Sequence, residues 1–212
     1  MALVLPQFPV GSVLMPFMPL ALRVFEPRYL KLMGDLVGSE NPVFGVPLHP
    51  QRVAAGEQPE RLTIGTVAKV EDFGMTDEHL GITATGTRRF VVTKWLEADP
   101  YPRAEVAYLP DLVWDDKFDS QRMTLELEVR GLLTRASKYG EMMWEPDTEI
   151  SEEPVAAIWQ LAAMLPVPPQ EQHTMLESED LETLIETALA ICAGGNRFLD
   201  GLDAGESPES ED

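Results

Sequence analysis

The chain has 212 residues, 44% of them hydrophobic and 25% charged, which is typical of a globular protein with one sizeable core, or with two small subdomains that share one core. Its formal net charge of −20 argues against nucleic-acid binding, because nucleic-acid binders need basic patches that release counterions from phosphate. The single cysteine, Cys192, excludes an intrachain disulfide and fits the reducing cytoplasm.

The acidity is concentrated in the C-terminal third of the chain. Residues 1–140 hold 18 acidic and 15 basic side chains, whereas residues 141–212 hold 18 acidic side chains and one basic one. Two interpretations stay open for this charge. It keeps the protein soluble, or it attracts a basic partner protein.

The opening segment, residues 5–29, is nearly all apolar but is divided by Pro6, Pro9, Pro16 and Pro19. Proline interrupts helical hydrogen bonding, so neither a membrane helix nor a signal peptide is expected here. The segment is instead predicted to be extended chain, interrupted by turns, that buries side chains in a soluble core. We therefore expect a cytoplasmic protein without a membrane partner.

A short helix is predicted near residues 26–37, with Pro27 in its first turn and Gly38 at its end. The next apolar segment, residues 42–48, is flanked by prolines, which favours a strand close to a sheet edge. Residues 49–60 are polar and predict a surface loop.

Residues 61–110 predict a meander of antiparallel strands that rolls, with the opening strands, into a small barrel. Arg88 and Arg89 stand before an apolar run, so alternation turns one of them inward. The strands are expected over 61–73, 80–85, 88–96 and 101–109, with turns at 74–78 and at Gly86.

Beyond a boundary at residues 111–119, the hydrophobic period becomes helical. Asp119 or Ser120 can cap the first helix, and its inward face is predicted to carry Leu125, Val129, Leu132, Leu133, Ala136 and Tyr139. The helices are expected over 119–140, from Ser151 to Pro166, over 168–176, and from a Ser178 cap to a break at Gly194–Gly195. The acidic residues 200–212 predict a disordered tail.

The opening segment reads L-P-x-F-P, then V-L-x-P, then F-E-P-R-Y. The residues of these motifs are Leu5, Pro6, Phe8, Pro9, Val13, Leu14, Pro16, Leu20, Phe25, Glu26, Pro27, Arg28 and Tyr29. Later motifs are Gly65–Ala68, Gly86–Phe90, Tyr101–Pro102 and Gln170–Glu177. This order resembles the N-terminal, substrate-binding domain of Lon proteases, and also free-standing bacterial proteins made of that domain alone.

The resemblance covers roughly residues 3–192, and the loop 49–60 and the acidic tail lie outside it. It implies an α+β fold, with a PUA-like β pseudo-barrel over 1–115 and a helical bundle over 116–199, that engages polypeptide. Glu182 and Thr183 stand where the family often has an arginine, so a contact that depends on that arginine is not expected here.

No catalytic constellation is found in the sequence. The P-loop motif is absent, and the adjacent Ser137 and Lys138 point to different faces of a helix, so they cannot act as nucleophile and base. We expect no enzyme activity, no cofactor and no metal. Residues 72–79 include Asp77, Glu78 and His79 around one turn, which either bind a hard cation or are simply solvated.

Two methionine-rich segments are the candidate peptide-binding residues, because flexible methionines adapt to varied apolar partners. The alternative is that both segments fold back over the core. The candidates are Met15, Phe17, Met18, Met142, Met143 and Trp144.

Arg23, Glu26 and Arg28 predict a structural ion pair at the junction of barrel and helix, and the alternative is that they bind a peptide.

Together with the resemblance, these features predict a non-enzymatic protein that binds unfolded or exposed hydrophobic polypeptide segments. The first alternative is an adaptor that docks a basic partner through its acidic helical half. The second is a binder of a small ligand or nucleic acid that uses the barrel.

Overall fold

The computed structural model describes residues 3–49, 63–75 and 80–205 and has a mixed α/β fold. Contacts divide the chain into two compact units, Met1–Asp111 and Leu112–Asp212. The first unit contains β1 (Leu3–Pro6), β2 (Pro19–Val24), α1 (Pro27–Leu36), β3 (Val43–Pro47), β4 (Ile64–Met75), β5 (Leu80–Trp95) and β6 (Arg103–Tyr108). The second contains a 3₁₀ turn (Asp116–Phe118), α2 (Asp119–Ala136), α3 (Pro154–Met164), α4 (Pro169–Leu176) and α5 (Leu181–Asp203). The domain division expected from the sequence, residues 1–115 and 116–199, stays a prediction.

The strands of the first unit pair antiparallel in the order β1-β6-β5-β4-β3, and β2 pairs with the first part of β5. The chain after β1 connects the two ends of this order, because Gln7 forms a parallel bridge with Gly45 of β3 and Val10 forms one with Leu48, directly after β3. The amide of Phe8 donates to the Gly45 carbonyl at 2.8 Å. The segment that follows β1 thus pairs with β3, at the opposite end of the strand order.

The core of the first unit is built from alternating side chains of four strands. Its buried cluster consists of Leu5, Val67, Phe90, Val92, Ala104 and Val106. Arg89 is buried as well and donates to the Pro110 carbonyl at 3.0 Å. Burial lowers the pKa of its guanidinium, and nearby Asp111 opposes that shift. The prediction that one of the two adjacent arginines faces inward is therefore confirmed.

The turn predicted at Gly86 is wrong, because β5 runs without interruption from Leu80 to Trp95. The Phe17 amide donates to the Gly86 carbonyl, and the Gly86 amide donates to the Met18 carbonyl, both at 2.8 Å. A Cβ at Gly86 would lie 2.3 Å from the Met15 carbonyl oxygen. This glycine therefore allows a second backbone to approach the strand closely, which is a common reason for glycine inside a strand.

Gly74 and Met75, which begin the other predicted turn, belong to β4. The rest of that turn lies outside the described residues, as does the predicted loop 49–60 apart from His49.

Helix α1 agrees with its predicted start and end. Pro27 occupies its first turn, where the missing N–H costs nothing, and Gly38 follows it with a φ of +84°. Tyr29, Leu32 and Met33 are its buried side chains.

Carboxylates cap two helices of the second unit, α3 and α5. Glu153 accepts hydrogen bonds from two amides in the first turn of α3, and Asp180 accepts one from the Thr183 amide of α5. The predicted cap at Ser178 is wrong, because that residue is buried two positions before the true cap.

Helix α2 buries Leu125, Val129, Leu132, Leu133 and Ala136, which confirms five of the six residues of the predicted face. The sixth, Tyr139, is exposed, because α2 ends at Ala136 rather than Gly140. The predicted cap at Asp119 or Ser120 is wrong, since a 3₁₀ turn leads directly into the helix. Asp115 caps that turn instead, accepting from the Lys117 amide at 3.0 Å.

The break predicted at Gly194–Gly195 is also wrong, because α5 continues to Asp203. A Cβ at Gly195 would lie 3.0 Å from Cδ2 of Leu132. The glycine lets α5 pack closely against α2, and that packing offsets the cost of about 1 kcal/mol for glycine inside a helix. Residues 200–203 of the predicted disordered tail are thus helical, and residues 206–212 lie outside the described part of the chain.

A polar cluster around Arg135 holds the end of α5. The Arg135 guanidinium donates to Asn196 at 2.9 Å, to Asp200 at 2.7 Å and to Asp203 at 3.2 Å. The hydroxyl of Tyr139 also donates to Asp203. The hydrogen bond from Tyr139 is the main cause of the lowered pKa of the Asp203 carboxyl, and the hydrogen bond from Arg135 lowers that pKa further. The cluster therefore stabilises the helix end above the ordinary pKa of an aspartate, and loses that effect as the pH falls through the lowered value.

Among the described residues, no helix combines the length and the apolar character needed to cross a membrane.

We predict that Gly86→Ala destabilises the protein by about 3 kcal/mol, because the new methyl group must displace the Met15 backbone. Urea unfolding followed by circular dichroism measures this change. The matched control is Gly74→Ala in β4, where a Cβ meets nothing within 4 Å, and it should change stability by less than about 1 kcal/mol. Equal effects of the two variants would contradict the close approach at Gly86.

We predict that Arg135→Gln loosens the last turns of α5, because Asp200 and Asp203 lose their shared cation. Amide hydrogen exchange measured by mass spectrometry should accelerate over residues 197–203 and stay unchanged in α3. Lys138→Gln removes an equal charge nearby and should leave the exchange of α5 as it is. Unchanged exchange in Arg135→Gln would show that packing alone holds the helix end.

Candidate polypeptide-binding surfaces

The Phe17 loop, residues 15–18, presents one aromatic side chain to solvent. Met15 and Met18 are buried, whereas Phe17 is 43% exposed. Phe17 has a φ of +63°, which is unusual for a bulky residue and is held by the surrounding hydrogen bonds. Those bonds are the two to Gly86 and one from the Met18 amide to the Met15 carbonyl at 3.3 Å.

This geometry corrects the prediction for two of the three residues of the loop. Met15 and Met18 belong to the core, where they anchor the loop, so they cannot contact a partner in this conformation. Phe17 stays a candidate because the backbone turns its ring outward. The burial of its neighbours explains this division, since a short loop that crosses a strand must point some side chains into the core.

The Met143 segment, residues 141–150, also presents one side chain. Met143 is 86% exposed, while Met142 and Trp144 are half-buried. Arg130 of α2 holds the segment, because its Nη1 donates to the carbonyls of Pro146 at 2.5 Å and Thr148 at 3.1 Å. The exposed methionine therefore sits on a segment that is fixed to a helix.

The predicted ion pair includes two of the three expected residues. Glu26 and Arg28 pair at 2.7 Å, but both side chains are about half exposed and lie two residues apart at the start of α1. Arg28 also lies 4.8 Å from the ring centre of Tyr29. Arg23 is exposed in β2 and makes no ion pair within residues 3–49, 63–75 and 80–205. The pair is thus local to the start of α1 and does not connect the helix to the sheet.

Phe25 is an exposed apolar residue that the sequence reasoning did not single out as a surface residue. It is 70% exposed, between β2 and α1. The alternation of side chains along β2 could have indicated this exposure, because Val24 is buried and the next side chain must point the other way.

A pocket of about 320 Å³ lies in the first unit. Its walls combine apolar and cationic side chains and include Arg28, Tyr29, Pro47, Leu48, Trp95 and Pro102. A cavity of this size and lining suits one side chain or one small ligand.

No group of three or more metal-ligating side chains occurs in the described part of the chain. The acidic turn with Asp77, Glu78 and His79, considered above for a hard cation, lies outside it.

The antiparallel sheet of the first unit and the helices of the second define a mixed α/β protein. The family model of the ATP-dependent protease La (LON) substrate-binding domain matches residues 4–193. This chain therefore belongs to that family, and the resemblance drawn from the sequence motifs is confirmed.

Curated relatives and solved structures agree with this assignment. The chain is 31% identical to Lon protease 2 of Myxococcus xanthus over 199 residues, and 28% identical to the Lon protease of Anaeromyxobacter dehalogenans over 199 residues. Each alignment covers 89% of this chain and 23% of the relative, so the chain spans less than a quarter of their length.

A Lon N-terminal domain protein from Xanthomonas campestris has a similar crystal structure. Its TM-score is 0.61 at 28% identity, over 89% of this chain and 98% of that one. The N-terminal domain of the Lon protease from Mycobacterium avium complex has a TM-score of 0.64 at 14% identity, over 90% of this chain and 98% of that one. This second likeness concerns the fold alone.

Cys192 is buried on α5, and burial raises the pKa of its thiol to about 12, with the Glu128 carboxylate acting in the same direction. We predict that it does not react with a thiol reagent at pH 8, because the thiolate is the reactive form. Ellman's reagent should show no free thiol in the native protein and one thiol in urea. Rapid modification of the native protein would contradict this packing.

Proposed function

We propose that this chain recognises polypeptides, binding unfolded or exposed hydrophobic segments without catalysing a reaction on them. The family description, a substrate-binding domain, supports this proposal. The observation that carries it is the outward position of Phe17, whose positive φ is held by two hydrogen bonds to Gly86. A backbone that is already held in place loses little conformational entropy on binding, so more of the burial of the ring contributes to affinity.

The proposal includes a PUA-like pseudo-barrel in the first unit and a helical bundle in the second. It also includes a cytoplasmic location. The Met143 segment is a second contact site of the same chemistry, because a polarizable, exposed methionine adapts to varied apolar partners.

The pocket of the first unit favours a second candidate function, the binding of a small ligand. Its apolar walls suit a small apolar molecule, and Arg28 at its side is already paired with Glu26. Thermal unfolding with a library of such molecules tests this candidate, since a ligand that binds the folded state raises Tm.

We predict that Phe17→Gly weakens the binding of unfolded chains about tenfold, because the aromatic contact area is lost. Glycine accepts a positive φ readily, so the variant should be at least as stable as the original protein. Fluorescence anisotropy with labelled, reduced and carboxymethylated lysozyme measures the binding. Met143→Ser should weaken it by a smaller factor, because methionine offers less contact area.

The matched controls are Val37→Ser and Val113→Ser, which remove exposed apolar side chains elsewhere in each unit and should change binding less than about twofold. If the controls weaken binding as much as Phe17→Gly does, the contact surfaces are assigned wrongly. If the original protein does not bind the probe at all, the proposed function itself fails.

A further inference from the structure

Helix α2 carries apolar side chains on two opposite faces, although the unit covers only one of them. On the outer face, Met123 is 60% exposed and Leu127, one turn later, is 72% exposed. Gly131 follows after another turn and is also exposed, with open space where a side chain would be. A helix at a protein surface normally has a polar outer face. The packing of the unit therefore does not account for this stripe.

The outer face of α2 forms one side of a shallow groove that is open to solvent, which we call the α2 groove. It has a volume of about 580 Å³ and is lined by Leu127, Gly131 and Thr134 of α2 and by Pro146, Asp147 and Glu149 of the facing segment. The groove is formed without a bound partner, because Arg130 hydrogen-bonds to the Pro146 and Thr148 carbonyls of the facing segment. Such preorganisation lowers the entropy cost of binding.

The charge of the α2 groove is negative and is not neutralised locally. Arg130 is occupied by Glu126, at 2.9 Å, and by the two carbonyls. Asp147 and Glu149 make no ion pair within the described part of the chain. No lysine or arginine occurs between Lys138 and Arg197, a range that contains 12 acidic residues. A positively charged partner is attracted by this field, and an acidic one is repelled.

We propose that the α2 groove docks a basic amphipathic helix of a partner protein. The apolar side chains of that helix cover Met123 and Leu127, and Gly131 allows the two helix backbones to approach closely. Its lysines and arginines face Asp147 and Glu149. A second copy of this chain is a poor occupant, because each copy carries a net charge of −20. This site is independent of the Phe17 loop and of the function proposed from it.

A synthetic amphipathic helix of leucine and lysine, labelled with a fluorophore, is the probe for this site. We expect the full-length protein to bind it, and raising the salt from about 50 mM to about 500 mM should weaken binding about tenfold. Leu127→Ser should weaken binding about tenfold as well, because it removes the central apolar contact. Since Leu127 is exposed, the variant should melt at the same temperature as the original protein.

The double variant Asp147→Asn/Glu149→Gln should weaken binding about fivefold and flatten its salt dependence. Its matched control is Glu182→Gln/Glu186→Gln, which removes two exposed carboxylates from α5, and Phe198→Ser is the matched control for Leu127→Ser. Both controls should change binding less than about twofold.

Three results would overturn the proposal. The first is failure of the original protein to bind the probe at low salt. The second is an equal loss in the α5 carboxylate control, which would mean diffuse attraction by the acidic unit. The third is equally tight binding of a leucine and glutamate version of the peptide, which would mean that the occupant is apolar but not basic.

Discussion

The contact between the Gly86 backbone and the Phe17 loop is the constraint on which the first unit depends. Two hydrogen bonds of 2.8 Å connect Gly86 with Phe17 and Met18, and the Met15 carbonyl lies where a Cβ would otherwise be. These bonds attach the proline-rich opening segment to the longest strand of the sheet. They bury the two methionines and, through the same backbone path, turn the phenylalanine outward. Stability and exposure of the candidate contact residue thus have one cause.

In the second unit, Arg130 attaches an irregular segment to a regular element, as Gly86 does in the first. Its guanidinium joins Glu126 on its own helix to two carbonyls of the facing segment, so that one side chain fixes a loop with no regular structure. The same interaction gives Met143 a defined position and forms the wall of the α2 groove. Because the cation is used inside the unit, the carboxylates beside it keep their charge for a partner.

The two candidate surfaces differ in their physical chemistry. Phe17 offers apolar area on a fixed backbone, which favours chains by hydrophobicity and with little dependence on sequence. The α2 groove combines apolar area with negative charge, which selects for a basic partner and makes its binding depend on salt. The two proposed occupants therefore differ, an apolar chain at Phe17 and a basic helix at the α2 groove.

Much of the fold could be predicted because it follows from local patterns. Alternating side chains predicted the antiparallel strands, and the helical period predicted five residues on the buried face of α2. Two of the errors share a cause, since Gly86 and Gly194–Gly195 were interpreted as local breaks. Glycine weakens a strand or a helix when neighbours are ignored, but here it makes room for the Met15 carbonyl and for Leu132. Those neighbours are distant in sequence, so no local pattern could indicate them.

The sequence by itself determined the family, the order of strands before helices, the proline at the start of α1 and the uneven charge. Each of these depends on residue type or on short-range periodicity, which a single chain displays directly. Only the tertiary structure decided which methionines are buried, which carboxylates Arg135 pairs with and which glycines are close contacts. Those features depend on distances between residues far apart in the chain, and such distances exist only once the backbone has folded.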